Sequence, residues 1–161
     1  YRNTGTITRL TTRYRTYTRI YIPNGATLLD ASGYMTGDKI QGGRATDPDF
    51  SNEIFTKSDG ATTTLTVVSG FIAIEPQEEG TLHLRYRLPD TLRQKIENEN
   101  LYNLLVAKQP GTLAHGLDFS LDIGHNITTA TPLDVLQERG NNTVHFVTDI
   151  SSDRNFQITF K

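Results

Sequence analysis

The sequence predicts an all-β chain, an antiparallel β-sandwich of immunoglobulin-like or related type, with about ten strands and at most one short helix. Three observations point there. Apolar and polar residues alternate over many short runs, which is the two-residue period of a half-buried strand. Clusters of Gly, Pro, Asn and Asp punctuate those runs. Threonine, β-branched and suited to strands, supplies 24 of the 161 residues.

The elements follow in order. Residues 5–11 and 13–22 read as strands, the second with Ile20 and Ile22 on one face and Tyr14 at its other end. Pro23-Asn24-Gly25 turns the chain into a strand over 27–34. Residues 37–52 read as a long surface loop, followed by strands at 53–57, 61–68 and 71–75, with Ser58-Asp59-Gly60 as a turn. Leu82, Leu84, Tyr86 and Leu88 alternate with His83, Arg85 and Arg87 until Pro89 stops the run. Residues 90–99 (DTLRQKIENE) are the one predicted helix, with Asp90 or Thr91 as its cap. Strands are predicted at 101–108 and at 117–123, where Leu117, Phe119, Leu121 and Ile123 form the apolar face. Gln109-Pro110-Gly111 is the turn between these two. Gly140-Asn141-Asn142 precedes a strand at 143–150, and Phe156, Ile158 and Phe160 alternate at the C-terminus. Neither repeat nor linker interrupts the pattern, so one domain over 1–161 is expected, excised from a longer protein. This length buries about two thirds of the unfolded surface.

Composition excludes several function classes. No cysteine is present, which removes disulfides, thiol catalysis and cysteine-ligated zinc or iron–sulfur sites. No run of apolar residues is long enough to span a bilayer as a helix. Sixteen basic and eighteen acidic residues give a net charge of −2, so bulk charge predicts no nucleic-acid partner. The distribution is uneven, however: Arg2, Arg9, Arg13, Arg15 and Arg19 all precede the first acidic residue, Asp30.

That asymmetry marks the candidate site. If Ile20 and Ile22 face inward, the odd face of strand 13–22 carries Arg13, Arg15, Tyr17, Arg19 and Tyr21 in one row. Arg85 and Arg87 point outward from the later strand, beside His83. Should the two strands share a sheet, the rows merge into one Arg/Tyr surface. Such a surface holds an anionic polymer by forked guanidinium contacts or stacks tyrosines on sugars. The competing reading has each arginine paired across strands with Asp or Glu.

Other motifs weigh less. Asp47, Asp49 and Glu53 offer oxygen ligands to calcium but lack the spacing and glycine of an EF-hand loop. His83, His115, His125 and His145 show no metal-ligand spacing and read as surface residues. There is no GxSxG elbow, and Gly42-Gly43 lacks the Lys-Ser/Thr of a phosphate loop. Leu88-Pro89-Asp90-Thr91 imitates a sortase signal, but Leu92 stands where glycine is required. Asn126-Ile127-Thr128 and Asn141-Asn142-Thr143 are formal glycosylation sequons. Lys57, Lys95 and Lys108 are candidate donors for a Lys–Asn or Lys–Asp crosslink of the kind bacterial surface sandwiches carry. No catalytic residue, metal or cofactor is assigned.

Three segments together resemble a bacterial domain of unknown function, the one numbered four thousand and twelve in its series. They are Tyr14 to Ala26 with Leu28-Leu29 and Ala31-Ser32-Gly33; Gly70 to Pro76 running into Leu82 to Pro89; and Tyr102 to Thr112. Within the last, Lys108, Gln109, Pro110 and Gly111 form the most specific motif. Thr16 and Ala107 stand where that family has Asn and Gln. The resemblance implies an extracytoplasmic β-sandwich at the C-terminal end of a longer, membrane-anchored envelope protein, in a family without an established activity. The expectation is therefore a non-enzymatic interaction module at the cell surface. Its partners would be an envelope polysaccharide or another surface protein, with membrane contact only through an upstream anchor. A glycan-acting enzyme with loop carboxylates, and assembly by edge-strand pairing, are the competing expectations.

Overall fold

The computed structural model describes residues 1–6, 13–35, 49–56 and 60–161. Within them the chain is all-β, with eleven strands, one α-helix and antiparallel pairing throughout. It divides into two compact units, Tyr1–Asp90 and Thr91–Lys161.

The first unit holds β1 (Tyr14–Pro23), β2 (Thr27–Ser32), β3 (Asp49–Thr56), β4 (Thr62–Ile74) and β5 (His83–Arg87). One sheet runs β1-β4-β3 and a second pairs β2 with β5. Gly25 at φ +78° and a bond from the Ala26 amide to the Pro23 carbonyl, 3.1 Å, turn β1 out of the first sheet into the second. Ile20, Ile22 and Val68 from one sheet meet Leu28, Ala31, Leu82 and Leu84 from the other, closing a small sandwich.

Two expectations change here. The sequence reads as strands at 61–68 and 71–75, whereas β4 continues through Ser69 and Gly70 as one 13-residue strand. Gly70 marks a close approach and not a break: a Cβ there would lie 2.6 Å from the Tyr34 ring. β3 begins at Asp49, inside the expected loop 37–52, whose residues 37–48 lie outside the described set. The expected strand at 5–11 falls mostly on residues outside that set. Nearby, Arg2 bridges to Glu79.

The second unit opens with α1 (Asp90–Glu99), which matches the predicted helix and starts at the unit boundary. It buries no side chain and is supported by Arg93–Glu97 (2.9 Å) and Lys95–Glu99 (3.9 Å) pairs one turn apart. Asn100 at φ +51° ends it. There follow β6 (Leu101–Val106), β7 (Gly116–Asp122), β8 (Ile127–Thr131), a 3-10 turn (Leu133–Val135), β9 (Leu136–Arg139), β10 (Thr143–Asp149) and β11 (Arg154–Phe160). The sheets run β7-β10-β9 and β6-β11-β8. Phe119 and Phe146 from one sheet interlock with Phe156 from the other, at centroid distances of 5.0 and 4.9 Å.

β8 and β9 were not expected from the pattern. The two buried residues of β8, Ile127 and Ala130, are three apart, which breaks the period of two. A register shift opposite Thr159/Phe160 restores both to the inner face. A similar shift opposite His145/Phe146 leaves the four residues of β9 without alternation.

Candidate functional site

β1 positions the predicted row as its sequence demands. Thr18 and Ile22 are buried on the even face, while Arg15, Tyr17, Arg19 and Tyr21 are exposed on the odd face, with Arg13 half-buried just before the strand. The register brings β4 residues beside them: Tyr17 faces Phe71, Arg19 faces Ser69 and Tyr21 faces Val67. The Tyr17 hydroxyl donates to Ser69 Oγ at 2.9 Å, and its ring meets Phe71 edge-on at 4.9 Å. Arg19 forms an ion pair with Glu53 of β3 and lies over the Tyr21 ring, 5.5 Å from the centroid.

That ion pair spans the whole sheet. Arg19 stands level with Ser69 and Glu53 level with Leu65, so the bridge passes over Val67 on the central strand. Strands are about 4.8 Å apart, and only two long side chains reach across two gaps. Val67 and Ser69, on the outer face of β4, are 0% and 4% exposed beneath this cover. Arg13 is likewise paired, with Glu75 at the end of β4. Cross-strand neutralisation therefore accounts for Arg13 and Arg19. Beside them Tyr17, Tyr21 and Phe71 keep 48%, 42% and 36% of their surface exposed.

Arg85 and Arg87 do not join this surface. β5 pairs with β2 in the second sheet, not with β1, so the merged Arg/Tyr face of seven residues does not form. The sandwich core lies between the two sheets, which puts the two outward rows on opposite sides of the unit. There Arg85 stands beside Asp30, and His83 lies 3.6 Å from the same carboxylate. Strand pairing is a long-range property, and nothing in the alternation of 82–88 names its neighbour. The residues missed on the working face, Glu53, Ser69 and Phe71, were hidden for the same reason.

The Lys108-Gln109-Pro110-Gly111 motif is a clamped turn. Gly111 at φ +77° follows Pro110, the order of a type II turn. The Lys108 ammonium donates to the Gln109 carbonyl (3.0 Å), the Thr112 carbonyl (2.6 Å) and the Thr112 hydroxyl (3.0 Å). These take all three ammonium protons, and the Lys108 amide donates to Asp153 Oδ1 at 2.7 Å. The turn leads from β6 to β7, which belong to different sheets, so the motif is a crossover between layers and not a hairpin. Of the other lysines, Lys95 faces Glu99 on α1, and Lys57 lies outside the described residues. Of the calcium candidates, Asp47 lies outside them too, and Glu53 is held by Arg19.

The second unit adds two open concavities. One lies on the β7-β10-β9 sheet, lined by Ser120, Asp122, Glu138 and His145 among others. At the same sheet His145 Nε2 is 3.0 Å from Asp118 Oδ1. Among the described residues no three His, Asp or Glu side chains converge as a metal site. The other concavity, where Asn126, Arg139, Asn141 and Lys161 meet, brings together the asparagines of both sequons. Among the described residues, no helix is long and apolar enough to cross a membrane. Compared with models of known families, with curated proteins and with solved structures, the chain finds no match in any of the three.

Proposed function

We propose that this chain is a non-enzymatic interaction module of a bacterial envelope protein, working outside the cytoplasm through the outer face of β1 and β4. The observation that carries the reading is the exposure of Tyr17, Tyr21 and Phe71 on a sheet whose central strand is buried from Thr66 to Gly70. Rigid aromatics on a flat, ordered face lose little conformational entropy on binding, and tyrosine and arginine recur as binding hot spots. A polysaccharide fits this chemistry because the apolar faces of sugar rings stack on aromatic side chains. Since Glu53 and Glu75 already neutralise Arg19 and Arg13, recognition is led by stacking, with a weak dependence on salt. The resemblance to the envelope-protein family points the same way.

The test is a binding screen of the chain against peptidoglycan and acidic and neutral envelope glycans. Tyr17→Ala and Tyr21→Ala are each expected to weaken binding about tenfold, or roughly 1.4 kcal/mol. Absence of binding to every glycan, or binding untouched by both substitutions, overturns the proposal. Assembly through β3 is the second reading, favoured by Phe50 and Ile54, which are 45% and 74% exposed on that edge strand. Light scattering separates the two, because a clean monomer at high concentration ends the assembly reading alone.

A further inference from the structure

The concavity at the end of the second unit has chemistry unlike the rest of that unit. Residues 91–161 carry eight acidic and six basic side chains, yet no carboxylate side chain lines this pocket. The polar residues that line it are Arg139, Lys161, Asn126 and Asn141. All four side chains are hydrogen-bond donors, and two carry positive charge.

The pocket is held open by backbone bonds from three directions. Asn126 and Lys161 exchange amide-to-carbonyl bonds of 3.2 and 2.9 Å, which join the start of β8 to the end of β11. The Ile127 amide donates to the Asn141 carbonyl at 2.7 Å, tying β8 to the turn between β9 and β10. The Gly140 amide closes that turn on the Thr143 carbonyl at 2.9 Å. These bonds fix the relative positions of the segments that carry the four donors.

Arg139 is oriented in the same way. Its Nη2 donates to the Ile127 carbonyl at 2.9 Å and to the Thr128 carbonyl at 2.7 Å, which pins the plane of the guanidinium. Its Nε and Nη1 have no partner among the described residues, and neither does the Lys161 ammonium. The two bonds use both Nη2 protons, so the donors that remain, on Nε and Nη1, offer single charge-assisted hydrogen bonds to an oxyanion. The Lys161 ammonium supplies a second, mobile charge.

We infer that this pocket binds an oxyanion group, a carboxylate or a phosphate, presented by a ligand of the second unit. The site is separate from the aromatic face of β1 and β4. Its neighbour on the β7-β10-β9 sheet shares Arg139 but is lined by Asp122 and Glu138, which repel such a ligand.

The experiment is amide NMR of the full chain titrated at low ionic strength with inorganic phosphate, with acetate, and with chloride as control. Phosphate or acetate is expected to give saturable shifts confined to residues 126–128, 139–141 and 161, with a dissociation constant of about 1–10 mM. Arg139→Lys keeps the charge but loses the anchored donors, and should weaken binding at least fivefold. Lys161→Gln changes an exposed side chain and should weaken it about threefold, so the site remains testable if the arginine variant is unstable. Stronger binding of phosphate assigns a phosphate-bearing ligand, and equal or stronger binding of acetate assigns a carboxylate-bearing one. Shifts that match those of chloride, or that persist unchanged in both variants, overturn the inference. Tyr17→Ala should leave these shifts as they are, so failure here is distinguishable from failure of the glycan reading.

Discussion

The two units solve the same problem, burying the inner faces of two small sheets, with different side chains. The second unit uses large aromatics, with Phe146 and Phe156 fully buried and Phe119 stacked on the first and tilted against the second. The first unit uses Val68, Ile72 and Ile74 along one central strand, with Tyr34 as its buried aromatic. Charges are handled differently too. In the first unit Arg13 and Arg19 reach acidic side chains of neighbouring strands, whereas in the second Arg139 bonds to backbone carbonyls and Arg154 to the carbonyl and carboxylate of Asp149 in its own turn. On the outer face of β1 and β4 the side chains are ordered by such contacts: Arg19 lies over the Tyr21 ring and Ser69 accepts from Tyr17.

The largest predicted effect probes whether the two cores stand alone. Phe156→Ala should cost about 3–5 kcal/mol through lost burial and a residual cavity. Amide dispersion should collapse over 101–160. If 14–32 and 62–87 keep theirs, the cores are independent, and if all are lost together the chain behaves as the single domain expected from its sequence. Chemical denaturation followed by NMR reads both outcomes.

Gly70→Ala should destabilise the first unit by about 1–3 kcal/mol, because the new methyl meets the Tyr34 ring at 2.6 Å. A neutral result would show that the ring moves aside at little cost. Thermal melts of the two proteins decide it.

Tyr34 sharpens the contrast between the cores further. Among the described residues its phenol oxygen is buried without a hydrogen-bond partner, and the neighbouring Thr18 hydroxyl donates instead to the Gly70 carbonyl at 3.1 Å. Burial pushes the Tyr34 pKa above its ordinary value of 10.0. The stability tied to the neutral phenol is full below about pH 10 and is lost as pH rises through the raised pKa. Tyr34→Phe should flatten that alkaline loss and, at neutral pH, add about 1 kcal/mol by removing an unsatisfied oxygen. Urea unfolding across the alkaline range checks both, and an unchanged pH profile would show that the phenol keeps its proton throughout.

The smallest effect lies in the second unit, in the turn between β10 and β11. The Asp149 carboxylate is held down to about 2, first by bonds from the Ser151 hydroxyl and amide and then by Arg154 at 2.9 Å. Its stabilising contribution is present above the ordinary carboxylate range and fades as pH falls towards about 2. Ser151→Ala should raise the midpoint seen by carboxyl NMR, with little change in melting temperature because the group is fully exposed. An unmoved midpoint would assign the shift to Arg154 instead.

Much of the architecture was legible before any coordinate. The odd face of 13–22, the helix at 90–99 and the Pro110-Gly111 turn all appear where the pattern placed them, because each depends on residues within one element. β8 escaped because a bulge changes the parity of Ile127 and Ala130, and only the partner strand shows the extra residue. The Ser69-Gly70 pair read as a break because glycine in a strand signals either a turn or a close approach, and the Tyr34 ring that distinguishes them lies far off in sequence.

The amino-acid sequence by itself determined which side of each strand is apolar, since alternate residues share a face whatever the strand is paired with. It also determined the all-β class and the row of Arg and Tyr along β1. Tertiary structure alone decided that β1 pairs with β4 and not β5, which removed Arg85 and Arg87 from the row and supplied Glu53, Ser69 and Phe71. The physical reason is the same in each case. Facing direction is a local consequence of backbone geometry, while pairing is chosen by burial and hydrogen bonding summed over the whole sheet.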